Sequence, residues 1–335
     1  MRFFIISLIY ILLIGCGKVS NEVQEQPFLY RTNQKVDNRE IKKLTPVDSL
    51  NLDSLGLFMP AVLYRTEKGL VFFDRSNRTI VNTDTDLKII NKFELPEGRG
   101  PGELGSLRRF DYKEGKLLFI DNGLNKITHY SLKGDFINEF KVSEIPNMEA
   151  VKMISKQKYL IPSTFLTDSL YHLIDSEGNI INRIQSSEEV ENPMMFTAQS
   201  TVSGKHLYVA GYSEPLIKKY DIENGALIFS KEIVDSYETT DSYMSFSNGA
   251  GFTKDATYGS IAIAVENELF YSARYHNGES EYKFVDVYDE DSGEYAFSYV
   301  LKNNINMESL AVSSSHIYTI ETNSEGENLL TKYVF

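Results

Sequence analysis

The chain has 335 residues, 42% of them hydrophobic and 24% charged, with 47 Asp and Glu against 34 Lys and Arg and a formal charge of −13. No Lys/Arg-rich stretch interrupts this acidic background, which excludes nucleic acid as an expected partner, because neutralising phosphates needs a basic face. Cys16 is the only cysteine, so no intramolecular disulfide can form and stability must come from core packing, for which the length is ample.

At the start of the chain, Arg2 precedes a run over 3–14, apolar apart from Ser7, that closes on Leu13-Ile14-Gly15-Cys16. The run is too short to span a bilayer and stay there, so residues 1–15 are expected to be a cleaved export signal. The order Leu-Ile-Gly-Cys resembles the bacterial lipobox, in which the cysteine becomes the lipidated first residue of the mature protein. That resemblance implies lipidation at Cys16 and attachment to a membrane. Polar, acidic residues 16–27 then form a tether, leaving 28–335 as one folded domain.

From there the chain repeats itself. A strand rich in Val, Ile, Tyr and Phe recurs as Gly69-Leu70-Val71-Phe72-Phe73-Asp74, Lys116-Leu117-Leu118-Phe119-Ile120-Asp121 and Lys158-Tyr159-Leu160-Ile161. It returns as His206-Leu207-Tyr208-Val209-Ala210, Glu268-Leu269-Phe270-Tyr271 and His316-Ile317-Tyr318-Thr319-Ile320. A glycine-containing hairpin follows it, as in Ser131-Leu132-Lys133-Gly134-Asp135 and Asp175-Ser176-Glu177-Gly178-Asn179; glycine there supplies the positive φ of a tight turn. A period in the forties with four short strands per unit predicts an all-β six-bladed β-propeller, seven blades being the alternative. The last copy ends without a fourth strand, so an N-terminal strand within 28–44 is expected to close the ring, with polar 48–55 leading into blade one.

Between the first two blades lies Glu97-Gly98-Arg99-Gly100-Pro101-Gly102-Glu103-Leu104. With the lipobox, this phrase resembles the six-bladed propeller lipoproteins of Bacteroidetes, which are NHL-like and TolB-like in fold. The resemblance implies a propeller and an outer-membrane location in the cell envelope, periplasm-facing or surface-exposed, and little chemistry. Gly100, Gly102 and Gly105 also match the dinucleotide fingerprint, but that mechanism needs a following helix whose N-terminus meets the pyrophosphate, and here Leu107-Arg108-Arg109-Phe110 begins a strand.

No metalloprotease, phosphate-loop or nucleophile-elbow motif occurs. His206 and His316 share one place in the repeat and His129 and His172 another, which points to repeated packing rather than metal binding. The acidic turn Asp289-Glu290-Asp291-Ser292-Gly293-Glu294 falls one residue short of an EF-hand order and is expected to be a solvated hairpin.

In a propeller, the connections between blades open on the same face as the turns between second and third strands. Candidate ligand-binding residues therefore gather from three places on that face. The glycine loop 98–105 offers Arg99 and Glu103. An insertion over 236–259 carries Tyr243, Phe246 and Tyr258, a composition suited to recognition by exposed aromatics. The turn Arg274-Tyr275-His276 joins them. Arg108, Glu149 and Glu308 fall near the start of inner strands, at the channel mouth, where an arginine either clamps a carboxylate or phosphate or pairs with those glutamates.

Two functions follow. One is a non-catalytic binding or scaffold module, anchored through Cys16, for a protein, peptide or glycan, with no catalytic residues, cofactor or metal. The alternative is an envelope enzyme, a metal-dependent lactonase-like hydrolase or a polysaccharide lyase, with Glu149, Asn306 and Glu308 near a Ca2+ ion and Tyr258 with His276 as acid/base groups.

Overall fold

The structure, a computed structural model, describes residues 39–335 apart from 108, 143–144, 146–147, 164–168, 187–197, 213, 235–242, 247–248, 253–258 and 275–282. For 185–186, 243–246 and 249–252 it describes the strands and not the side chains.

Six four-stranded sheets stand around a central channel, as the repeat predicts. Blade one is Pro60–Arg65, Gly69–Asp74, Thr79–Asp84 and Ile89–Glu94, and blade two is Phe110–Lys113, Lys116–Asp121, Lys126–Ser131 and Phe136–Lys141. Blade three is Lys152–Ser155, Lys158–Pro162, Ser169–Asp175 and Ile180–Ser186, and blade four is Ala198–Ser203, His206–Gly211, Leu216–Asp221 and Leu227–Glu232. Blade five is Ser260–Glu266, Leu269–Arg274, Lys283–Asp289 and Tyr295–Leu301. Blade six takes Asn304–Val312, His316–Thr322 and Asn328–Val334 from the end of the chain and Thr45–Asn51 from its beginning. Within each blade the strands pair antiparallel in that order, and the six inner strands touch one another around the ring, the sixth against the first.

Burial explains the repeat. The second strand of each blade lies between neighbouring blades on both faces, so it reads as a continuous apolar run: Gly69–Asp74 is buried along its whole length. The fourth strand faces solvent and alternates, as Ile89–Glu94 does. Each wedge between blades is filled from both sides, as where Phe73 and Ile80 of blade one meet Phe110, Phe119 and Tyr130 of blade two. A fully buried Phe contributes about 1.5–3 kcal/mol. His129 packs in such a wedge against Tyr159 and Phe140, at centroid distances of 5.6 and 5.9 Å, and burial lowers its pKa. His206 and His316 each lie against a tyrosine, Tyr208 and Tyr318, at equivalent positions of two blades.

Aspartates at the ends of second strands fasten the connections. Asp74 accepts the Met59 N–H at 2.9 Å, and Asp121 accepts that of Gly105 at 2.6 Å. Blade six does this with a longer side chain: Asn303 donates to the fully buried Glu321 at 3.0 Å.

The ring closes later in the chain than 28–44. Thr45–Asn51 pairs antiparallel with Asn328–Val334, from Thr45 opposite Val334 to Asn51 opposite Leu329. Residues 48–51 thus belong to the closing strand, and only a short 3-10 turn, Asp53–Leu55, leads to blade one. As an outermost strand it is almost wholly exposed and carries no apolar alternation to mark it. Ahead of it, Ile41–Lys42 adds a short parallel fifth strand to the edge of blade five, opposite Ser298 and Tyr299.

Candidate functional site

The inner strands enclose a chamber of about 290 Å³ on the channel axis, and every blade contributes to its wall. Its charged groups stand in three tiers. At the upper mouth, on the face where the inter-blade connections open, Arg109 precedes the inner strand of blade two by one residue. It meets Glu308 of blade six at 2.5 Å and Glu149 of blade three at 3.8 Å. Glu308 reaches the channel because the inner strand of blade six bulges between Ile305 and Leu310, with Glu308 itself in the left-handed region at φ 59°. Arg75, on the turn 75–78 of blade one, belongs to the same cluster. Burial lowers its pKa, Glu308 opposes the shift and Arg109 adds to it.

In the middle tier Lys152 donates to the Tyr64 hydroxyl at 2.6 Å and lies 3.6 Å from Asp111, which accepts the Met153 N–H at 2.9 Å. Burial pushes the Tyr64 pKa well up, and the Asp111 and Glu308 charges add to the rise. At the lower end Arg65 binds Glu266 at 2.8 Å and the Val312 carbonyl at 3.2 Å. Three of these contacts join blades that are not neighbours: two with six, one with three, one with five. They brace the ring across its hollow centre.

Beside the upper mouth stand three large exposed apolar side chains, Phe58 (61%), Met59 (56%) and Met307 (38%). They are tied into one surface. Asn328 donates to the Phe58 carbonyl at 3.3 Å and accepts from Asn306, next to Met307, at 3.1 Å; the Arg75 N–H donates to the Met59 carbonyl at 3.0 Å. Sequence reasoning did not single out Phe58, Met59, Met307 or Arg75. The available signal was an apolar pair placed between Gly56 and the first inner strand, where a connection should be polar.

The glycine loop does not join this mouth. It fills the outer wedge between blades one and two, where Glu103 accepts the Gly100 N–H at 2.7 Å, Glu139 accepts that of Gly102 at 3.1 Å, and Tyr130 donates to the Gly102 carbonyl. Arg78 donates to the Leu104 carbonyl at 2.6 Å. Gly102 has φ 77°, and a Cβ there would lie 3.0 Å from the Phe136 ring, so this position needs glycine for packing. Glu103 braces the loop, while Arg99 is exposed. No helix follows, and the dinucleotide fingerprint has no structural counterpart.

Arg274, expected at an exposed turn, ends a strand and is buried. Its guanidinium donates to the Val234 carbonyl at 2.8 Å and lies 3.7 Å from Asp286. Tyr243 and Phe246 bound a strand that forms a hairpin with Gly249–Phe252. Cys16, Arg108, Tyr258, Tyr275 and His276 lie outside the described residues. In the acidic turn Asp289 accepts the Ser292 N–H and hydroxyl at 2.8 and 2.7 Å, and Asp291 pairs with Lys219 at 3.0 Å, so both carboxylates are engaged by protein groups. Among the described residues no group of three His, Cys, Asp or Glu side chains converges as a metal site.

No protein-family model and no curated protein matches the chain. Its fold is similar to that of solved β-propeller structures. A protein of Bacteroides fragilis described as exported superposes with a TM-score of 0.55 at 13% identity, over 88% of this chain and 99% of that one. A DUF4221 family member from Bacteroides vulgatus gives 0.57 at 12% identity, over 87% and 97%. The β-propeller domain of Cps50 (Swd1) from Myceliophteria thermophila gives 0.50 at 12%, over 87% and 99%. At such identities the likeness speaks for the fold alone.

Proposed function

We propose that this propeller is a binding module of the cell envelope that holds an apolar segment of a protein or peptide on its upper face, against Phe58, Met59 and Met307. The observation that carries the reading is the exposure of these three side chains together on one hydrogen-bonded surface beside the channel mouth. Methionine suits adaptable apolar packing against varied partners better than it suits sugar recognition, and a clustered exposed apolar patch marks an interaction site. Arg75 adds a cation at the rim for a carboxylate of the partner. The enzyme alternative requires Glu149 and Glu308 to point free into the channel, whereas Arg109 holds both in ion pairs. Export and an outer-membrane anchor at Cys16 rest on the Leu13-Ile14-Gly15-Cys16 order, and the description of the B. fragilis protein as exported agrees with that location.

The test is selection of a displayed random peptide library on the protein and on a triple variant, Phe58→Ser, Met59→Ser and Met307→Ser, checked for unchanged folding by circular dichroism. Recovery of apolar peptides by the parent and not by the variant supports the reading. Equal recovery on both, or binding only to a glycan array, rejects it.

A further inference from the structure

The chamber on the channel axis is a separate feature from the apolar face above it. Three cations reach its wall, Arg65, Arg109 and Lys152, in a chain whose formal charge is −13. Two carboxylates, Glu266 and Glu308, reach it with them. On the side formed by blades four and five the only charge is Glu266, at the end of its strand; Gln199, Ser200 and Thr201 offer neutral hydrogen-bonding groups beside Ile263, Ala264 and Val265. The chamber thus has an ion pair toward each end, Arg109–Glu308 and Arg65–Glu266, and a mostly neutral wall between them on the side of blades four and five.

This arrangement selects among ligands. A molecule with a single charge entering such a site must separate an ion pair and leave one partner unsatisfied, which is unfavourable. A molecule carrying both charges replaces each half of the pair and leaves nothing unmatched. The volume of about 290 Å³ holds on the order of ten waters. We infer that the chamber binds a small zwitterion the size of a free α-amino acid, its carboxylate taken by Arg109 and Lys152, its ammonium by Glu308, and its side chain lying against Ser200 and Val265.

The experiment is isothermal titration calorimetry of the full chain with L-alanine, L-glutamine and L-leucine in turn, with sodium propionate and propylamine as single-charge controls. At least one amino acid is expected to bind with a Kd of about 1 mM or tighter, and neither control. Glu308→Gln is expected to weaken that binding at least about tenfold, by the loss of a charge-assisted contact. Ser200→Leu, which fills the chamber from the mostly neutral wall and leaves every ion pair in place, is expected to abolish it while circular dichroism stays that of the parent. Absence of binding by all three amino acids overturns the inference, as does equal binding of propionate or binding that survives Ser200→Leu.

Discussion

The guanidinium of Arg39 lies 3.1 Å from the carboxylate of Asp286, across 247 residues of chain, and neither side chain is exposed to solvent. A second hydrogen bond at 3.3 Å makes the pair bidentate, and the guanidinium rests 4.3 Å from the centroid of the Phe284 ring. Asp286 also accepts the Ser298 hydroxyl at 2.6 Å and faces Arg274 at 3.7 Å, so one carboxylate answers two buried cations. Removing one partner of a buried pair typically costs 3–5 kcal/mol, because the other charge stays buried without its counterpart. Asp286→Asn is expected to lower the free energy of unfolding in urea by about that amount, and Arg39→Met by less, since Arg274 still faces the aspartate. Equal losses for the two would contradict this division of roles.

The glycine loop yields a second prediction. Gly115 and Gly102 both have positive φ, 75° and 77°, but a Cβ at Gly115 meets open space while one at Gly102 meets Phe136. Gly115→Ala should cost about 1–2 kcal/mol from the backbone alone, and Gly102→Ala should cost more. Urea denaturation of the two variants measures the difference; identical losses would show that Phe136 yields without penalty.

Glu321 makes stability depend on pH. Its carboxylate is fully buried beneath donors from Thr319 at 2.5 Å, Tyr333 at 2.7 and 2.9 Å and Asn303 at 3.0 Å. Burial nevertheless raises its pKa, outweighing those hydrogen bonds. Between the ordinary carboxyl value and this raised one the native state binds more protons than the unfolded chain, so its contribution favours folding at low pH and is lost as pH rises through that window. Glu321→Gln removes the titration. Measured by urea denaturation from about pH 4 to pH 8, the variant should gain stability relative to the parent as pH increases, and parallel curves would refute the assignment.

His129 acts in the opposite sense. Burial lowers its pKa, with Lys116 adding and Asn138 opposing. The unfolded chain therefore takes up this proton first as pH falls, and stability is lost below the ordinary histidine value. His129→Leu, which keeps an apolar contact with Tyr159 and Phe140, should weaken the decline in melting temperature between about pH 7 and pH 5. An unchanged acid limb would show that another group governs it.

The blades were legible in the sequence because their second strands are buried on both faces, so runs such as Leu117-Leu118-Phe119-Ile120 stand out, and because glycine recurs in the hairpins that follow. The closing strand was not, since Thr45-Pro46-Val47-Asp48 faces solvent and has the composition of a linker. The channel was legible only in part. The sequence leaves open which arginine of Leu107-Arg108-Arg109-Phe110 meets Glu149 and Glu308, because no local pattern marks where the inner strand begins. The strand of blade two begins at Phe110, and it is Arg109 that meets Glu149 and Glu308. The bulge that turns Glu308 inward depends on the pairing of blade six and has no local signature. Arg274 looked exposed because its neighbours are polar, yet its partner Asp286 lies on the adjacent strand, beyond the reach of any motif.

Because Arg39 precedes both Ile41–Lys42 and the closing strand Thr45–Asn51, a pull applied to the chain at Arg39 loads the buried Arg39–Asp286 pair before it reaches any hydrogen bond that joins the first strand to the last. The two-residue strand at the edge of blade five thus sits mechanically upstream of ring closure. While it holds, tension is discharged into the wall of blade five, and the seam of blade six carries none.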